Sequence, residues 1–307
     1  MIAFVFPGQG AQTVGMGADL YQSAPAAREV FDQANQVLGF DLARLCFEGP
    51  ADELTLTSNA QPAIVTVSVA CLRALEQRGV RADVAAGHSV GEYSALVCAG
   101  ALSLPEALCL VRKRGQYMAE AKAGTMAAVL GLPPDQVEHI CVQASSAGVV
   151  VAANFNDPSQ VVVSGEERAV AEACRLAKQA GAKRALRLKV SGAFHSPLMS
   201  EAGQKLAQDL AQADIRDPQI PVVANADAQE KRTAEQVRQA LVQQVTSSVR
   251  WQQSVERIME GGGETCVEVG PGKALAGMIR RIAPEALVHN LADMATLEAA
   301  AEALARD

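Results

Sequence analysis

The pentapeptide Gly87-His88-Ser89-Val90-Gly91 constrains this chain most strongly. It follows the short apolar run at 84–86 and precedes an apolar pattern of helical period. A strand, a sharp turn carrying serine and then a helix form the context in which G-x-S-x-G presents a nucleophile. Glycine at positions 87 and 91 removes side chains that would obstruct the turn. Ser89 is therefore a candidate nucleophile, although short motifs of this kind also occur as ordinary turns.

The helix after the pentapeptide adds a second requirement of acyl chemistry. Its N-terminus points at Ser89, where free backbone N–H groups and the helix dipole can stabilise an oxyanion.

Composition excludes several classes of protein. With 307 residues, the chain has room for one large α/β domain or for one domain with a smaller insertion. The net charge of −7 argues against nucleic-acid binding, and no apolar run is long enough to span a membrane. The first seven residues resemble a buried strand and not a signal peptide. Seven scattered cysteines without a C-x-x-C pair indicate a reducing cytosol, and four histidines without ligand spacing predict no metal site.

Alternating strand and helix patterns predict an α/β fold with a mostly parallel sheet. The apolar strand at 2–6 ends in Pro7-Gly8-Gln9-Gly10, so Gln9 lies in a loop at the carboxyl end of a strand, where sites form in such sheets. The remaining main-domain elements are predicted as strands at 221–225, 265–269 and 288–291, and as helices at 24–38, 59–77, 103–122, 198–212, 233–245, 254–260, 273–282 and 295–305.

The segment 125–190 has a different order of predicted strands and helices. Its patterns follow the order β-α-β-β-α-β, with strands at 126–132, 149–154, 160–164 and 184–190, and helices at 134–145 and 166–180. This order is typical of a ferredoxin-like unit. We therefore predict an inserted subdomain at 125–190, within a catalytic domain made of residues 1–124 and 191–307.

A serine nucleophile needs a base, and His195 is the strongest candidate. It lies in Ser191-Gly192-Ala193-Phe194-His195-Ser196-Pro197, where the chain returns to the main domain. The alternative is that His195 is only a neighbour of a helix N-cap or a packed loop residue. His88 adjoins Ser89, but neighbouring side chains on a tight turn point apart, so His88 is expected to support the turn.

Five sequence blocks together resemble malonyl-CoA:acyl carrier protein transacylase, a member of the malonyl/acyltransferase family. They occur in that family's order and cover essentially the whole chain: Phe6-Pro7-Gly8-Gln9-Gly10, Gly87 to Leu96, Arg114-Gly115, Gly192-Ala193-Phe194-His195-Ser196, and Glu268-Val269-Gly270-Pro271-Gly272. The resemblance implies an α/β-hydrolase-like core with an inserted ferredoxin-like subdomain.

The resemblance also implies roles for individual residues. Ser89 would carry the acyl group and His195 would be its base. The backbone N–H groups of Gln9 and Val90 would form the oxyanion hole, and Arg114 would bind the malonyl carboxylate. Further implied contacts are Phe194 against the α-carbon, Asn154 and Asn156 along the pantetheine arm, and the backbone carbonyl of Arg250 as the group that orients the base.

The substrates and partners implied are malonyl-CoA and an acyl carrier protein, with no metal or other cofactor, in a cytoplasmic and monomeric enzyme. A basic cluster formed by Lys183, Arg184, Arg187 and Lys189 at the end of the subdomain, with Arg280 and Arg281 on a late helix, would suit an acidic carrier. An ordinary solvated charge cluster is the alternative.

Three other functions stay open at this stage. The motif around Ser89 alone suits a serine esterase, although an esterase needs no arginine for a substrate carboxylate. The same fold would also suit a discrete acyltransferase of a polyketide assembly line or the transacylase of malonate decarboxylase. A non-enzymatic docking module is the third alternative, and the intact set of Ser89, His195 and Arg114 argues against it.

Overall fold

The computed structural model describes residues 1–121 and 124–305. The strands are β1 (Ile2–Phe6), β2 (Val84–Gly87), β3 (Thr125–Leu130), β4 (Val150–Asp157), β5 (Gln160–Gly165), β6 (Arg184–Arg187), β7 (Val222–Val223), β8 (Glu230–Lys231), β9 (Thr265–Val269) and β10 (Leu287–Leu291). The helices are α1 (Ala18–Ser23), α2 (Pro25–Leu38), α3 (Leu42–Glu48), α4 (Ala51–Thr55), α5 (Thr57–Glu76), α6 (Gly91–Cys98), α7 (Leu104–Glu120), α8 (Pro134–Ala144), α9 (Glu167–Gln179), α10 (Ser200–Gln212), α11 (Ala234–Gln244), α12 (Trp251–Glu260), α13 (Ala274–Ile282) and α14 (Met294–Leu304).

A six-stranded sheet forms the larger layer, in the order β10-β9-β1-β2-β7-β8. All its pairs are parallel except β7 with β8. Strand β1 lies at the centre and is buried along its whole length. Its alternating side chains enter two cores: Phe4 and Phe6 face the core built on α5, whereas Ala3 and Val5 face the core that contains α12 and α13. The sheet is therefore covered on both faces, as continuous apolar strands require.

Helix α5, which packs on the face of the sheet that carries Phe4 and Phe6, begins two residues earlier than predicted. Pro62 consequently lies inside the helix and not in its first turn. Because proline has no N–H, the carbonyl oxygen of Ser58 loses its helical donor. Arg112 of α7 supplies the substitute, since its Nη1 donates to that oxygen at 2.6 Å.

A four-stranded antiparallel sheet forms the smaller layer, in the order β4-β5-β3-β6. Helices α8 and α9 pack on it around a core of their own that includes Val129, Val161 and Val163. The chain passes through these elements as β-α-β-β-α-β, which confirms the predicted ferredoxin-like pattern. The domain boundaries at 124/125 and 190/191 stay predictions.

Strand β4 joins the two layers. Backbone hydrogen bonds run from Phe155 N–H to the Val249 carbonyl at 2.9 Å and from Val249 N–H to the Ala153 carbonyl at 2.8 Å. Asp157 at the end of β4 is buried and pairs with Arg281 of α13. The cleft between the layers is thus held from one side by backbone pairing and an ion pair.

Several local elements differ from the sequence prediction. The short helices α1, α3 and α4 and the two-residue strand β8 were not predicted. Strand β4 extends to Asp157, so the expected turn at 156–159 shortens, because the buried Asp157 carboxylate accepts from Ser159 and from Arg281. Strand β6 ends at Arg187 and not at 190. Helix α7 was predicted to reach Lys122, which lies outside the described residues.

No helix in the described ranges combines the length and the apolar character needed to cross a membrane.

Candidate active site

The turn between β2 and α6 holds Ser89 in a left-handed conformation, with φ of +52°. Such a conformation is strained for serine and is typical of a functional turn. The two glycines of the motif are sterically required. A Cβ atom on Gly87 would lie 2.0 Å from the backbone carbon of Gly91, and one on Gly91 would lie 2.2 Å from the Phe6 oxygen. The turn is therefore wedged against the end of β1.

Two side chains that the sequence did not single out hold the backbone of Ser89. Its N–H donates to Oδ1 of Asn225 at 2.7 Å, and its carbonyl accepts from Nε2 of Gln244 at 3.0 Å. Asn225 also donates through Nδ2 to the Gly87 carbonyl at 2.6 Å. No local pattern marks these residues, because both reach Ser89 from positions more than a hundred residues away.

His195 contacts Ser89 as predicted. Its Nε2 lies 2.8 Å from Oγ of Ser89, and its Nδ1 lies 2.9 Å from the Gln244 carbonyl oxygen. A carbonyl only accepts, so Nδ1 carries the proton and Nε2 is free to accept one from the serine. Burial, and after it the positive charge of Arg114, lower the pKa of His195 to about 3. The imidazole is consequently neutral and available as a base at neutral pH.

The predicted orienting group for the base was wrong. The carbonyl that accepts from His195 belongs to Gln244, at the end of α11, and not to Arg250. The Arg250 carbonyl begins α12 and accepts instead from the N–H and hydroxyl of Ser254. Because these two donors occupy both lone pairs of the Arg250 oxygen, it has none left for the histidine.

Arg114 is 1% exposed and lies within hydrogen-bond distance of the candidate nucleophile. Its Nη2 is 3.1 Å from Oγ of Ser89 and 3.0 Å from Oε1 of Gln244, while Nη1 donates to Oε1 of Gln61 at 2.7 Å. Its Nε–H has no partner among the described residues, and no carboxylate there forms a direct ion pair with the guanidinium. Burial lowers the pKa of Arg114, but a guanidinium stays charged.

The neighbours of Arg114 on α7 point elsewhere, as helical spacing predicts. Arg112 binds the Ser58 carbonyl and Lys113 pairs with Asp209. Only Arg114 of these three reaches Ser89.

The backbone N–H groups of Gln9 and Val90 are the predicted oxyanion donors. Within the described chain, neither N–H donates a hydrogen bond to another residue. The Gln9 side chain is held by Thr57, whose Oγ1 lies 3.3 Å from its Nε2, and Thr57 in turn contacts Oγ of Ser191 at 3.2 Å. The geometry leaves both N–H groups available to an oxyanion.

A cleft of about 430 Å³ lies between the two layers and reaches Ser89. Its wall combines apolar side chains with a few polar ones, including Gln9, Asn154, Asn156, Phe194, His195, Met126, Leu188 and Lys189. Asn156 accepts through Oδ1 at 2.9 Å from Nε2 of His88, whose ring packs near Trp251. His88 thus links the turn at Ser89 to β4. A larger surface groove of about 800 Å³ beside Arg73 and Glu76 contains none of the predicted site residues.

Across residues 1–121 and 124–305, no group of three or more histidine, cysteine or acidic side chains is arranged to hold a metal ion.

The sequence and fold match known proteins over nearly the whole chain. The acyl transferase domain family matches residues 3–298. A malonyl CoA-acyl carrier protein transacylase of Bacillus subtilis is 44% identical over 307 residues, covering 99% of this chain and 97% of that protein.

Two solved structures have the same fold. The malonyl CoA-acyl carrier protein transacylase of Coxiella burnetii is 43% identical with a TM-score of 0.97, covering 99% of this chain and 98% of that one. A malonyl-transacylase in complex with a type II PKS acyl-carrier protein is 42% identical with a TM-score of 0.96, covering 98% and 99% respectively.

With a serine, a histidine and a buried arginine assembled at the end of a central parallel sheet, and a family match that spans 3–298, this chain belongs to the acyl transferase domain family.

Proposed function

We propose that this acyltransferase moves a malonyl group from malonyl-CoA to the phosphopantetheine thiol of an acyl carrier protein, through a malonyl ester on Ser89, and so supplies fatty acid synthesis. Relatives at 44% and 45% identity along nearly their whole length carry the name malonyl CoA-acyl carrier protein transacylase, which supports this substrate pair. The observation that carries the proposal is the buried Arg114 guanidinium beside Ser89, without a directly paired carboxylate in the described chain.

In the first half-reaction, Ser89 attacks the thioester carbonyl carbon of malonyl-CoA. Nε2 of His195, 2.8 Å away, takes the hydroxyl proton as the C–O bond forms. When the C–S bond breaks, the imidazolium returns that proton to the departing CoA sulfur. The Gln244 carbonyl stabilises the transient positive charge through Nδ1–H, in the place where a serine protease uses aspartate.

The negative charge of the tetrahedral intermediate falls on the former carbonyl oxygen. The free backbone N–H groups of Gln9 and Val90 would donate to it, the second with the support of the α6 dipole. Fixed donors of this kind need no reorganisation during the reaction, so they favour the transition state over the ground state.

Arg114 would bind the terminal carboxylate of malonate. The planar guanidinium suits a carboxylate, and three of its five N–H donors already have protein partners, which fixes its orientation. A simple esterase would have no use for a buried cation at this place, so Arg114 favours a dicarboxylic acyl group. Phe194, which lines the cleft next to His195, would crowd the α-carbon and disfavour branched acyl groups.

The second half-reaction runs the same chemistry with a new nucleophile. The carrier's thiol loses its proton to His195, attacks the ester carbonyl, and Ser89 leaves with the proton returned by the imidazolium. Asn154 and Asn156 on the cleft wall would contact the amides of the pantetheine arm. Because His88 occupies Oδ1 of Asn156, its amide nitrogen is the group that would face the arm.

The carrier protein would dock over the cleft mouth. Lys189 lines the cleft, and the exposed Arg184 and Arg187 lie just before it on β6. Arg187 pairs with Glu167, so its charge is already partly balanced. We also propose that the enzyme acts as a cytoplasmic monomer and that only groups of this chain, the CoA thioester and the carrier thiol take part in the reaction.

A second pathway is supported by one comparison. The 42% identical malonyl-transacylase bound to a type II PKS acyl-carrier protein has essentially the same fold, so malonyl supply to polyketide synthesis is the alternative. Acylation rates with carriers of both pathways would separate the two.

Intact-mass spectrometry after mixing with malonyl-CoA tests the central step. We expect a mass increase of one malonyl group, localised to Ser89 by peptide mapping and lost when carrier protein is added. Ser89→Ala should give no adduct. A full adduct in that variant, or hydrolysis without transfer to any carrier, would overturn the proposal.

A further inference from the structure

We propose that Glu92 is a positioning residue: its buried carboxylate anchors Asn225 and Gln244, the two residues that hold the strained backbone of Ser89. The inference rests on the proposed function in one respect, that Ser89 is the nucleophile.

Glu92 lies in the first turn of α6, three residues after Ser89, and is 2% exposed. One of its oxygens, Oε2, accepts from the backbone N–H of Asn225 at 3.0 Å and from Nε2 of Gln244 at 2.8 Å. A single carboxylate oxygen therefore ties together two segments, one after β7 and one at the end of α11.

Both anchored residues act directly on Ser89. Asn225 accepts from the Ser89 N–H, and Gln244 donates to the Ser89 carbonyl, so the two peptide groups that flank the left-handed Ser89 are each held by one of them. A conformation of this kind persists only where its surroundings determine it. Glu92 is the group that fixes those surroundings relative to each other.

The carboxylate also decides how the Gln244 amide is oriented. Nε2 faces two acceptors, Glu92 Oε2 and the Ser89 carbonyl, while Oε1 faces the Nη2 donor of Arg114. The opposite orientation would set the amide oxygen against two acceptors and its NH₂ against a guanidinium. An acceptor at Glu92 thus keeps Oε1 available to Arg114.

Gln244 also orients the proposed base, His195, because its backbone carbonyl accepts from Nδ1 of that histidine. Loosening Gln244 would therefore disturb the nucleophile, the base and the carboxylate-binding arginine at once. Burial raises the pKa of Glu92 to about 7, and the hydrogen bonds from Gln244 and Asn225 and the charge of Arg114 oppose that rise. The two donors thus favour the ionised form of Glu92, and that ionised carboxylate in turn holds the two donors in place.

The test compares Glu92→Ala, Glu92→Gln and wild type in two reactions. One is single-turnover acylation by malonyl-CoA; the other is labelling of Ser89 by a neutral fluorophosphonate, which needs the nucleophile and base but not Arg114. We expect Glu92→Ala to slow both by about 100-fold, the scale for a misplacement of about 1 Å in a reacting group. Glu92→Gln keeps one acceptor oxygen but loses the charge, so both rates should fall by about tenfold, less than in Glu92→Ala.

Glu268→Gln is the matched control. Glu268 is also buried and also accepts two backbone N–H groups, from Leu275 and Ala276, but it contacts none of Ser89, His195 or Arg114. It should lower the melting temperature and leave both rates of the folded protein unchanged.

Wild-type rates in Glu92→Ala would overturn the proposal, as would an equal loss of rate in Glu268→Gln. If Glu92→Ala does not fold, Glu92→Gln decides: a modest loss of both rates in a folded protein supports the role, and no loss refutes it. Failure of wild type to form a malonyl adduct, with normal fluorophosphonate labelling, would instead count against the proposed function alone.

Discussion

Replacing Arg114 by alanine should convert the enzyme's acyl preference and not merely weaken it. The guanidinium is almost completely buried and contacts Ser89, Gln61 and Gln244, all through neutral oxygen acceptors. Without a substrate carboxylate it is a buried cation whose Nε–H has no partner in the part of the chain that the structure describes. In the proposed role of Arg114, malonyl would relieve that cost, whereas acetyl would leave it in place.

The expected size follows from this environment. Removing one partner of a buried, hydrogen-bonded charge pair costs about 2–5 kcal/mol. At about 1.4 kcal/mol per tenfold change, kcat/KM for malonyl-CoA should fall by roughly 30- to 5,000-fold. Acetyl-CoA makes no ion pair with Arg114, so its kcat/KM should stay level or rise. Gln61 and Gln244 lose a donor in the variant, and water entering the vacated space would limit the cost to stability.

The assay is acylation of the enzyme by each CoA ester, followed by intact mass at short times. Lys113→Ala is the control, because Lys113 precedes Arg114 on the same helix but pairs with Asp209 at the surface. It should leave both activities unchanged. A parallel fall in malonyl and acetyl transfer by Arg114→Ala would mean that Arg114 maintains the site and does not select the substrate.

Four further outcomes are expected. His195→Ala should slow acylation by about a few thousandfold at neutral pH, the scale for losing a general base, and acylation near the wild-type rate would require another base. Burial keeps the pKa of His195 at about 3, whereas an unfolded histidine titrates near 6.5, so the unfolded chain binds more protons below that pH. Its contribution to the free energy of unfolding is complete above pH 6.5 and is lost as pH falls. Between pH 7 and pH 5, the free energy of unfolding of His195→Gln should therefore fall by about 2 kcal/mol less than that of wild type in denaturant titrations, and equal falls would refute the lowered pKa of His195. Phe194→Ala should raise kcat/KM for methylmalonyl-CoA relative to malonyl-CoA in competition assays, and an unchanged ratio would exclude a steric role. Charge reversal at Arg184 and Arg187 should raise KM for the carrier and leave hydrolysis of the acyl-enzyme alone, whereas an unchanged KM at low salt would discard the basic cluster.

The sequence alone determined the parts of this site that depend on local geometry. A left-handed serine between a strand and a helix requires small neighbours. The glycines at 87 and 91 therefore predict the turn from a pentapeptide alone. Strand and helix periods likewise predicted the parallel sheet and the β-α-β-β-α-β unit, because each element must bury one apolar face or two. His195 was the candidate base because of its loop at the return to the main domain, and the family resemblance then added Arg114, which no local pattern connects to Ser89.

Only the tertiary structure decided how these groups are held. Asn225, Gln244 and Glu92 form the hydrogen-bonded support of Ser89, and their separation along the chain leaves no periodicity to detect. The choice between Gln244 and Arg250 as the partner of His195 depends on where α11 ends and α12 begins, a matter of a few residues that helix patterns do not resolve. Apolar periodicity reports which face of an element is buried, whereas a polar network is fixed by single donor–acceptor distances that exist only once the layers have packed.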